Sequence, residues 1–213
     1  MAYATIGELV ERMALPASYS DNTALVARLT DSLDEATAII DNDTGRNFAA
    51  RAGLVKTFSI IGLRRSGRGV IDSFHRLDIL DLPDFTALTT LRVDDTDDGT
   101  YDTTIASTGY ELGKTNDGLD GWPYSSVRLL DREFPTGGRR ERRIEITANF
   151  GWAAVPTPIN KACTLLAARL SAREASAVFG LQSFGADGGG AYIRNDDPDY
   201  MSAIARYRMP QVA

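Results

Sequence analysis

Residues 144–178 read IEITANFGWAAVPTPINKACTLLAARLSAREASAV, and the change of period inside this stretch decides the fold class. Ile144, Ile146, Ala148 and Phe150 alternate with Glu145, Thr147 and Asn149, the period of two of a half-buried strand. Gly151 breaks the run. Pro156 and Pro158 then prepare the entry to a helix, where a missing N–H is no loss. From Ile159 the period becomes helical, with Ile159, Ala162, Cys163, Leu166 and Leu170 on one face. Alanines dominate the rest of the helix, so a second helix can approach closely. A strand feeds a core helix.

Upstream, Thr5 and Glu8 form a capping-box pair ahead of a short helix over 5–13. Ser20 or Asp21 caps a longer one, in which Leu25, Leu29, Leu33, Ala36 and Ile40 trace one face and Gly45 suits the left-handed C-terminal position. Leu29 and Leu33 are expected to pack on Leu166 and Leu170. Between the two helices, strand candidates recur at 55–61, 70–73, 77–80, 88–93, 127–130 and 144–150, separated by turn residues such as Pro83-Asp84, Asp98-Gly99 and Gly137-Gly138. The glycine-rich stretch 179–191 reads as a linker. Asp197-Pro198 then starts a last helix carrying Tyr200, Ile204 and Tyr207. The expected organisation is a single α+β domain. Residues 1–50 and 151–180 form a small helical bundle core, 51–150 an antiparallel β-sheet inserted between the two long helices, and 181–213 a linker and C-terminal helical arm.

Composition excludes several function classes. The chain has 213 residues, 43% hydrophobic and 24% charged, with a net charge of -6. That charge argues against a general nucleic-acid binder, whose affinity comes from neutralising phosphates. One cysteine, Cys163, excludes a disulfide framework and reads as a small core residue rather than a nucleophile. No signal peptide or membrane-spanning run is read, so synthesis in the cytoplasm and no membrane partner are expected.

Few stretches carry chemistry. Asp94-Asp95-Thr96-Asp97-Asp98-Gly99 has the opening of a calcium loop, but the twelfth position, where a bidentate Glu belongs, is Ile105. It reads as an acidic hairpin turn. Arginine clusters stand at 64–68 and at Arg139, Arg140, Arg142 and Arg143, yet acids outnumber bases sixteen to fourteen across 51–150. Arg139, Arg140, Arg142 and Arg143 are expected to contact acidic surfaces of neighbouring subunits rather than DNA. The only histidine, His75, has no Ser-centred elbow and no paired metal ligands nearby. No catalytic residue, metal ligand or cofactor is expected. The terminal arm, too short to be stable alone, needs something to dock on. Arg194, Tyr200, Ile204, Tyr207 and Arg208 are the expected contacts to a partner, the alternative being that the helix folds back on its own core.

The order of these signals resembles the head–tail connector, or adaptor, family of long-tailed double-stranded DNA phages. The resemblance rests on Thr44-Gly45-Arg46-Asn47-Phe48 closing a helix, Leu80-Asp81-Leu82-Pro83, Leu91-Arg92-Val93-Asp94, Tyr110-Glu111-Leu112 and Trp122-Pro123. It rests most on Phe150-Gly151-Trp152 leading through Val155-Pro156 into the alanine-rich helix, and it extends to Asp197-Pro198 and Tyr207-Arg208. It implies a structural protein of the virion neck, a ring of about twelve copies docked beneath the portal protein. Such a ring would extend the channel for genomic DNA, which passes without specific binding, and would present a surface to a downstream neck or tail protein. The competing readings are a nucleic-acid-binding module using the arginine loops and a metal-dependent hydrolase using the aspartate turn.

Overall fold

The structure is a computed structural model in which residues 2–59, 78–113, 121–135, 139–140, 142–176 and 198–209 are described, the side chains of 173–176 excepted. The helices are α1 (Ile6–Arg12), α2 (Thr23–Thr44), α3 (Thr157–Ser176) and α4 (Pro198–Ala205). The strands are β1 (Arg51–Phe58), β2 (Ile79–Val93), β3 (Thr103–Ile105), β4 (Tyr110–Leu112), β5 (Tyr124–Leu129) and β6 (Ile144–Phe150). The class is α+β. The chain divides into two compact units, residues 1–49 with 154–213, which hold the helices, and residues 50–153, which hold the sheet.

In the helical unit, α1 begins at a complete capping box. The Glu8 N–H donates to the Thr5 hydroxyl at 3.2 Å, and the Thr5 N–H donates to the Glu8 carboxylate at 2.7 Å. That second bond, first among the causes, holds the Glu8 carboxyl below its usual range. The cap of α2 is neither Ser20 nor Asp21 but Asn22, whose side-chain oxygen accepts from Leu25 N–H at 3.0 Å. Residues 17–21 are instead wound into a 3₁₀ turn, which delays the helix start by one residue. At its other end Gly45 takes φ +67, the left-handed conformation, and its N–H closes on Asp41.

Helices α2 and α3 pack together. Leu29, Leu33, Ala36 and Ile40 of α2 are buried, as the periodicity predicts. On α3 the buried row is Ile159, Cys163, Ala167 and Ser171, while Leu166 and Leu170 are only half-buried. The reason is steric: the row in steps of four with the smaller side chains lets α2 approach, and the larger leucines are displaced to its flank. Cys163 lies 3.7 Å from the Thr37 hydroxyl, and burial pushes its thiol up, as suits a core residue.

Phe48, fully buried, ties both ends of the chain to the end of α2. Its ring meets Tyr3 at 5.5 Å and Tyr207 at 5.7 Å, both edge-on, and its N–H donates to the Tyr3 hydroxyl at 2.8 Å. The Thr44-to-Phe48 phrase is therefore a structural anchor.

The sheet is antiparallel, in the order β1-β6-β2-β5-β4, with β3 pairing the end of β2. In β6 burial alternates strictly, with Ile144, Ile146, Ala148 and Phe150 inward. Its neighbour β2 is one strand of 15 residues where the sequence suggests two, and it runs through Pro83. Pro83 is tolerated because pairing with β5 shifts register between Asp81 and Phe85, where no ladder N–H is required. The register shift also turns Asp84 inward, to accept from the Trp152 indole N–H at 2.9 Å and, through its carbonyl, from Gly151 N–H at 2.7 Å. Gly151 has φ +89. Phe150-Gly151-Trp152 is thus a strand end, a left-handed turn and an anchored indole.

Candidate functional site

The acidic turn and the arginine-rich loop, about 45 residues apart in sequence, form one structure at one end of the sheet. Asp94 follows β2 and is fully buried. Its carboxylate accepts from Asp97 N–H at 2.7 Å and from Gly99 N–H at 2.9 Å, which folds the turn around it. Asp97 takes φ +61, where a short polar side chain is tolerated, and Gly99 takes φ +93. The arginine loop closes on this turn. Arg139 and Arg140 donate their backbone N–H groups to the Asp97 carboxylate at 2.5 and 3.0 Å. The Arg140 guanidinium lies over Gly99, where any Cβ would collide with it.

Arg143 is the clamp. Only 8% exposed, it donates from Nε to the Asp94 carbonyl and from Nη2 to the Asp95 carbonyl, both at 2.9 Å. Its own carbonyl accepts from Asp94 N–H at 2.9 Å, extending the ladder between β2 and β6. It is therefore not available to a second subunit in this arrangement, and its expected role at a subunit contact is replaced by an internal one. Arg132 pairs with Asp95, and Tyr101 donates to the Arg142 carbonyl at 3.1 Å. Phe134, 2% exposed, pins the loop into the sheet core, which the sequence pattern did not reveal.

This geometry sets the electrostatics. Arg132 holds the Asp95 carboxyl below the usual range, the Arg139 N–H does so for Asp97, and the Thr100 hydroxyl for Asp98. Every carboxylate of the turn thus has donors of this chain. Among the described residues no group of three or more His, Cys, Asp or Glu side chains is placed to hold a metal ion. The side chains of Arg139, Arg140 and Arg142 are exposed, and so are those of Asp95 and Asp98.

The other expected contacts divide. Tyr200, Ile204 and Tyr207 are 7%, 0% and 9% exposed, buried within the helical unit. The Tyr200 hydroxyl donates to Asp43 at 2.8 Å, and burial, with that bond second, pushes the phenol up. Met209 N–H donates to the Thr44 carbonyl at 2.9 Å. The apolar stripe completes its own core, because the i, i+4, i+7 row fits the site beside Phe48 and α3. Arg208 stays exposed. Arg194, His75, the arginines at 64–68 and the glycine-rich stretch lie outside the described residues. No described helix is long and apolar enough to cross a membrane.

No protein-family model and no curated relative matches the chain. Solved structures do. A chain in the neck of an empty gene transfer agent particle, computed with C6 symmetry, superposes with a TM-score of 0.60 over 99% of this chain and 92% of that one, at 22% identity. The two share one fold. A chain of the native gene transfer agent virion gives 0.58 at 23% identity over 99% and 92%. One in the native neck, computed with C12 symmetry, gives 0.51 at 21% over 100% and 96%. The match runs end to end, through both units.

Proposed function

We propose that this protein is a structural head-to-tail connector of a phage-like virion neck, a ring beneath the portal that extends the DNA channel and links capsid to tail. The observation that carries the proposal is the end-to-end match to chains of gene transfer agent particles, including necks computed with C6 and C12 symmetry. A ring of twelve copies fits both symmetries, since sixfold symmetry is contained in twelvefold. The net charge of -6 suits a channel wall that repels phosphate and lets DNA slide. The function is architectural rather than enzymatic, because the carboxylates of the turn and the thiol of Cys163 are engaged in holding the fold.

Within that ring, Arg139, Arg140 and Arg142 contact acidic surfaces of neighbouring subunits, and Arg208, with Arg194, faces the portal or a neighbour. A DNA-binding role for the loop is the weaker reading. Two of its arginines, Arg132 and Arg143, are already engaged by Asp95 and by backbone carbonyls, and the exposed ones stand beside Asp97 and Asp98. Particles assembled without this protein test the proposal. DNA-filled heads lacking tails are expected, and a normal yield of tailed, infectious or transferring particles would refute it.

A further inference from the structure

Among the described residues three large hydrophobic side chains are exposed: Leu54 at 36%, Val55 at 58% and Leu130 at 46%. All three belong to the sheet unit, and they stand at its opposite edges. Leu54 and Val55 lie on β1, one end strand of the sheet. Leu130 follows β5, with its N–H on the Gly109 carbonyl at 3.0 Å, beside β4, the other end strand.

Charge divides the same way. The β1 sequence RAGLVKTF carries Arg51 and Lys56 and no acid. At the far edge, Glu111 of β4 and Asp131 and Glu133 after Leu130 are exposed, while Arg132 between them is engaged by Asp95. One edge is apolar and basic, the other apolar and acidic.

β1 is also protected against indiscriminate strand addition. Gly53, at φ +64, sits in a register shift between Arg51 and Leu54, and Lys56 points to the core face with its ammonium 4.2 Å from the Phe150 ring centre. Bulges and inward charges are the devices that blunt an edge strand. A partner for this edge must therefore be specific, and it must bring acids.

We propose that the β1 edge of one copy docks head to tail on the β4–Leu130 edge of the next, with Val55 against Leu130 and Arg51 facing Glu111 and Asp131. Because the two patches differ and lie on opposite edges, the contact is heterologous and repeats, and a repeat that returns on itself is a closed ring. Opposite charge fixes the order of the copies and disfavours β1 on β1. The inference rests on the ring reading and deepens it.

The full-length chain tests it by cross-linking, since the native Cys163 is buried and leaves engineered thiols alone. Val55→Cys protein mixed with Leu130→Cys protein, assembled and treated with a short bismaleimide, is expected to give mixed dimers. The double variant is expected to give a ladder ending at the closed ring. Charge reversal supplies a second readout: Arg51→Glu and Glu111→Lys each raise the concentration needed for assembly about tenfold, and the two together in one chain restore it. Rings that form without Val55–Leu130 cross-links, Val55→Cys protein that cross-links to itself, or reversals whose losses add would overturn the edge-to-edge contact while leaving the ring reading in place. A wild-type chain that forms no ring, alone or with its portal, would overturn the ring reading and the contact together.

Discussion

Replacing Ile204 with alanine separates a terminal helix that completes a core from one that reaches for a partner. Ile204 is fully buried where α4 packs on α3 and α2. The substitution removes three carbons from a packed site. At about 0.8 kcal/mol per buried methylene the transfer loss is about 2.4 kcal/mol. The cavity left behind brings the total to about 3–4 kcal/mol, inside the usual range for such a change. At about 4 °C or more per kcal/mol for a unit of this size, the helical transition should fall by about 12 °C or more. The assay is a thermal melt of the full chain by far-ultraviolet circular dichroism, backed by a urea titration in which the midpoint falls and the slope holds. Ser202→Ala, at an exposed position of the same helix, is the control and should stay within about 0.5 kcal/mol. If Ile204→Ala melted like Ser202→Ala yet lost partner binding, the stripe would be a docking surface and its assignment to the core would be wrong.

Three further outcomes follow from the acid–arginine junction. Asp94→Ala strips the acceptor from two backbone N–H groups at a fully buried site and should cost about 2–4 kcal/mol in urea unfolding, with Asp94→Asn recovering part of it. Changing Arg139, Arg140 and Arg142 together to serine should leave monomer stability within about 0.5 kcal/mol and weaken ring assembly in analytical ultracentrifugation, whereas Arg143→Ser should destabilise the monomer, since its side chain is a buried clamp. The Asp95–Arg132 pair predicts a pH dependence. Its carboxyl titrates lower folded than unfolded, so its stabilisation is complete above the unfolded value of about 4 and is lost as pH falls through the folded one. Both side chains are 36% exposed, so the effect is under about 1 kcal/mol. Arg132→Ala should lower the melting temperature slightly at pH 7, and the difference should shrink as pH falls below about 4.

Local pattern made much of the fold legible. β6 has the bounds and inward residues that its alternation dictates, the Thr5–Glu8 box caps α1, and Gly45 closes α2 in the left-handed conformation. What the sequence hid depends on partners distant along the chain. Pro83 looks like a strand break until the register shift against β5 excuses its missing N–H. Leu166 and Leu170 look like core until the approach of α2 selects the smaller row through Cys163 and Ala167. The junction is the clearest case. The aspartate turn and the arginine run each invite a ligand when read alone, and only folding makes them each other's partners. Tyr200, Ile204 and Tyr207 offer the same stripe to a neighbour or to Phe48, and spacing along one helix cannot distinguish the two.

The proposed role requires this chain to build a connector ring on a portal. Electron microscopy of the purified protein mixed with portal rings from its own particle tests it most directly. A second ring coaxial with the portal is expected, of twelvefold symmetry, with the sheet edges of successive copies in contact. Portals that remain bare while the protein stays monomeric at saturating concentration would contradict it.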